Sequence, residues 1–106
     1  LLESLVAAHK LNAADAVLDS LQVTYPQMNW HELAGKSMSR LIQHAKRQSE
    51  EMSSVAATLE KLGVEPITAK ATGARLGWLA DLELAKASNS LPETYDEFLK
   101  ILDQHS

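Results

Sequence analysis

The chain has no cysteine, which excludes disulfides, thiolate-bound metal and a cysteine nucleophile. Aromatic residues make up only 5% of its 106 residues, and three prolines and four glycines leave few places where a helix must stop. A basic excess is missing too. Ten Lys and Arg face fourteen Asp and Glu, a net charge of -4, so a domain that grips nucleic acid through general phosphate attraction is disfavoured. No apolar run approaches the roughly 18 residues that a membrane-spanning helix needs. What remains is 45% hydrophobic and 23% charged, rich in alanine and leucine, which is the profile of packed helices. The length suits one core, so the expectation is a single helical-bundle domain over residues 1–106. Because the first residue is Leu rather than Met and no signal peptide is visible, the chain reads as a fragment or trimmed product, with the cytoplasm as the default compartment.

The strongest positive signal lies between Asn29 and Gly63. Leu33, Ala34, Met38, Leu41, Ile42, Ala45, Met52, Val55, Ala56, Leu59 and Leu62 fall on one stripe when successive residues are turned by about 100°. The opposite face carries Lys36, Arg40, Gln43, Arg47 and Glu50. At about 1.5 Å per residue this helix spans roughly 50 Å and must be covered by shorter partners. Asn29 with Glu32 forms an Asn-x-x-Glu capping box at its start, and Gly63 followed by Pro66 closes it.

Three further helices are expected. Leu1 to Val23 is helical in composition, but its stripe changes face between Leu2, Leu5, Val6, His9 and the later set Leu11, Ala14, Leu18 and Leu21. Either one helix is buried on two sides, or the chain turns near Lys10 to Asn12 and restarts. With no Gly or Pro at the junction, the continuous helix is favoured. A third helix from Ala69 to Ser88, capped by Thr68, is apolar all round and is expected among the more buried elements. Gly73 and Gly77 lie on one side of it and mark a packing notch. The last helix, Pro92 to Gln104, is announced by a capping box from Ser90 to Glu93 and buries Leu91, Tyr95, Phe98, Leu99 and Leu102. The fold class is therefore all-α, an antiparallel four-helix bundle with one long central helix.

Catalytic motifs are lacking: no serine stands in a nucleophile elbow or beside a His and acid pair. Among His9, His31, His44 and His105, none has a partner at helical ligand spacing, and the nearest approach to a metal site is His44 with Glu51, two turns apart. Candidate partner-binding residues are Lys36, Arg40 and Arg47 on the outer face of the long helix, with Trp30 as an aromatic anchor. The commoner fate of such a charged face is plain solvation, and of a tryptophan, burial in a core. No cofactor is implied by any motif.

The run from His44 to Glu51, continuing through Leu59-Glu60-Lys61-Leu62-Gly63-Val64-Glu65-Pro66, resembles the second helix and following turn of ferritin-like four-helix proteins. The resemblance implies an antiparallel helical bundle. The family's iron chemistry uses Glu-x-x-His motifs that are absent from this sequence, so what the resemblance implies is the architecture without the metal. The function expected from all of this is a non-enzymatic protein-protein interaction or oligomerisation module whose surface is set by the long helix. Two readings stand behind it: a ferritin-like metal or redox protein built on His44 and Glu51, and a nucleic-acid-associated regulator using Lys36, Arg40 and Arg47.

Overall fold

The computed structural model describes residues 1–87 and 91–105. Among them every regular element is a helix: α1 (Leu2–Lys10), α2 (Ala14–Thr24), α3 (Trp30–Lys61), α4 (Ile67–Asp81), α5 (Leu84–Ala87) and α6 (Tyr95–His105). The all-α class holds, with α3, 32 residues without interruption, as the long central helix. The chain divides into two compact units, Leu1–Ser39 with Ser90–Ser106, and Arg40–Asn89, and α3 contributes to both.

The ends of α3 follow the chemistry of the residues that flank it. Asn29 Oδ1 accepts the backbone N–H of Glu32 at 3.2 Å, which satisfies one of the orphan donors of the first turn. At the other end Gly63 adopts φ 79°, its N–H donates to the Glu60 carbonyl, and the Val64 N–H donates to the Leu59 carbonyl. These two bonds make a Schellman motif with glycine in its left-handed position.

The expected helix from Leu1 to Val23 is in fact two. Asn12 has φ 56°, its N–H donates to the His9 carbonyl at 2.9 Å, and the Ala13 N–H donates to the Ala8 carbonyl at 2.8 Å. This is a second Schellman motif, with asparagine where glycine is usual. The change of face along the apolar stripe has this break as its cause. Two other boundaries also move. α4 starts at Ile67, directly after Pro66, rather than at Ala69 with Thr68 as its cap, and it ends at Asp81 ahead of Glu83 at φ 51°. α6 starts at Tyr95: Thr94 Oγ1 accepts the Glu97 N–H at 3.3 Å and the Glu97 carboxylate accepts the Glu93 N–H at 2.8 Å. The cap is therefore Thr94, with Glu97 reaching back one residue beyond it to Glu93, and Pro92 precedes the helix; Ser88 and Ser90, the other residues of the expected boundaries, lie outside the described residues.

Within the first unit, α1, α2, the first turns of α3 and α6 enclose a dense core. The largest fully buried side chains, Phe98, Leu5, Leu18, Met38 and Leu99, all belong to it. At roughly 1.5–3 kcal/mol for each large apolar side chain removed from water, this cluster is what holds the short helices α1, α2 and α6. Gly35 on α3 is where the entry to α6 passes. A Cβ there would stand 2.7 Å from the Glu93 carbonyl oxygen and 3.1 Å from Thr94 Cα, so only glycine lets the two backbones meet.

The second unit is thinner. Among the described residues its buried apolar side chains are Ala45, Ala56, Ala69, Leu76, Leu79 and Leu84, half of them alanine. α3 and α4 run antiparallel, because Lys70 meets Glu60 while Gly73 and Gly77 meet the earlier residues Met52 and Ser49. A Cβ on Gly73 would lie 3.3 Å from Met52 Cβ, and one on Gly77 would lie 3.3 Å from Ser49 Oγ; Ser49 Oγ itself donates to the Gly73 carbonyl at 3.1 Å. Small residues thus bring the two helices close, at the cost of apolar area per residue. The expectation that α4 is among the more buried elements fails for the same reason, since Ile67, Ala71 and Ala74 are exposed.

Candidate functional site

The stripe of α3 is not covered evenly. Ala34 and Met38 are buried in the first unit, and Ala45 in the second, whereas further along Met52 and Leu59 are only half-buried and Val55 and Leu62 are exposed, Leu62 to 72%. Past the end of α3, Val64 is 51% and Ile67 66% exposed. Val55, Leu59 and Leu62 follow one another at spacings of four and three, so they share one flank of α3, while Ala56 turns away from them and is buried. Between α3 and α4, Ser53, Ala57, Ala69, Gly73 and Ala74 line a shallow groove of about 410 Å³, closed at one end by the Glu60–Lys70 ion pair at 2.8 Å. The far half of the hairpin therefore offers apolar and small side chains, with the exposed charges Glu60, Lys61, Glu65 and Lys70 set among them.

The residues singled out in the sequence lie elsewhere. Lys36 is exposed and pairs with Glu32 one turn before it at 2.8 Å. Through that hydrogen bond first, and the attraction of the ammonium second, Lys36 holds the Glu32 carboxyl below the usual carboxylate range. Arg40 is exposed on the same helix. Arg47 stands 3.9 Å from Glu51, so the partner within reach of Glu51 is an arginine one turn away, while His44 is half-buried two turns before it. Among the described residues no group of three or more His, Asp or Glu side chains is gathered to hold a metal ion. Trp30 is held at the turn between α2 and α3: its indole N–H donates to the Tyr25 carbonyl at 2.8 Å, its ring tilts against that of Tyr25, and its backbone N–H donates to Gln22 Oε1. Its contacts are those of a turn clasp.

Two arrangements in the first unit were not legible beforehand. His9 Nε2 meets Asp103 Oδ2 at 2.6 Å and ties α1 to α6. His31 Nε2 lies 3.5 Å from Asp19 and 3.9 Å from Asp15, and its ring stands edge-on to Tyr95. Asp15 and Asp19 share a face of α2 by their spacing, which is the one sequence signal for the second cluster; nothing local connects His9 to a residue near the far end of the chain.

An all-α, bundle-like fold built around one long helix is the class that these features define. The chain belongs to the DUF1932 family: the model of this domain of unknown function matches residues 8–79, from the end of α1 to near the end of α4. It is also similar to a solved structure, a conserved hypothetical protein from Sinorhizobium meliloti 1021, with 26% identity and a TM-score of 0.76. That match covers 98% of this chain and 34% of the other, so the chain spans about a third of the length of that protein. No curated protein matches. These findings overturn the ferritin-like resemblance, since neither the family nor the structural neighbour points to ferritin-like proteins. The Leu-Gly-x-x-Pro turn that suggested it is the Schellman motif at Gly63, a way of ending helices shared by unrelated folds.

Proposed function

We propose that this chain is a non-enzymatic helical interaction module that works by protein association through the far half of the α3–α4 hairpin. The supporting observation is the exposed apolar set Val55, Leu62, Val64 and Ile67 in a unit whose own described core is half alanine, whereas the first unit, which also exposes Leu11 and Val23, has the large buried side chains Phe98, Leu5 and Leu18 as its core. Single exposed apolar residues are ordinary, but several large ones at one end of a two-helix layer are what an interface presents when its partner is away. The simplest partner is a second copy of the chain, because an isologous pair sets the same flank against itself. Light scattering on a size-exclusion column over a range of concentrations tests the proposal. The mass is expected to rise above that of one chain as concentration increases, and Leu62→Glu is expected to return it to that of one chain. A single-chain mass at every concentration contradicts self-association.

A further inference from the structure

We draw no further inference here: the strongest candidate, the exposed apolar flank at the turn between α3 and α4 (Val55, Leu62, Val64 and Ile67), already carries the function proposed above, and nothing in the structure shows what covers it.

Discussion

Asn12 and Gly35 show how much of this fold turns on single backbone positions. At φ 56° Asn12 occupies a conformation that costs most residues about 1–2 kcal/mol and that asparagine tolerates better than any side chain with a branched Cβ. Asn12→Gly is expected to leave stability unchanged or slightly higher, and Asn12→Val to lower it by about 1–2 kcal/mol in urea denaturation; equal midpoints for the two variants would contradict the assignment. Gly35→Ala pushes a methyl against the Glu93 carbonyl and Thr94 Cα, backbone atoms that have no rotamer to escape into, and an overpacking loss of about 1–3 kcal/mol is expected. A third residue-level test is electrostatic. Lys36 lowers the pKa of Glu32 in the folded chain, so this contact adds stability above the ordinary carboxylate range, and the gain disappears as pH falls through the folded value. Replacing Lys36 with Met is expected to bring the Glu32 titration back up toward normal when followed by carboxyl-carbon NMR. An unchanged titration curve would show that Lys36 is not the cause.

At the scale of elements, the parts that were readable are those whose signals are local. Asn29 and Gly63 lie beside the helix ends they set, and the stripe between them repeats at the helical period, so α3 is visible in the sequence with both boundaries. The buried face of α6 is legible for the same reason: Tyr95, Phe98, Leu99 and Leu102 recur at spacings of three and four, and all four are buried. The break between α1 and α2 hides behind a residue that is neutral inside a helix and equally able to end one, and only the shift of the apolar stripe betrays it. The passage of the chain over Gly35 and the His9–Asp103 tie are invisible because their partners are distant in sequence and no period links them. Burial is unequal between the units, and substitution reads that out. Phe98→Ala, in the dense core, is expected to cost about 3–5 kcal/mol, enough to unfold a marginal domain. Leu62→Glu, at a site 72% exposed, is expected to stay within about 0.5 kcal/mol of the parent when both are compared at concentrations where the parent is a single chain. Similar thermal shifts for the two would mean that the far end of α3 is covered after all.

For the whole molecule, the candidate surface was half legible. The sequence calls for shorter partners along the whole stripe of α3, and the exposure of Val55 and Leu62 departs from that; which end of the stripe is left open follows only from where the large core residues gather. The charged face that looked like a binding surface from the sequence is taken up in part by pairs between neighbouring turns, Glu32 with Lys36 and Arg47 with Glu51, which are solvated and add little to stability. Trp30, the expected anchor, is engaged with Tyr25 and Gln22 in its own turn. The measurement that bears most directly on the central claim is methyl NMR of the chain on dilution. The account predicts concentration-dependent shifts for the methyl groups of Val55, Leu62, Val64 and Ile67, with those of the core residues Leu5, Leu18 and Leu99 unmoved. Spectra that do not change with concentration, or changes confined to the core methyls, would contradict it.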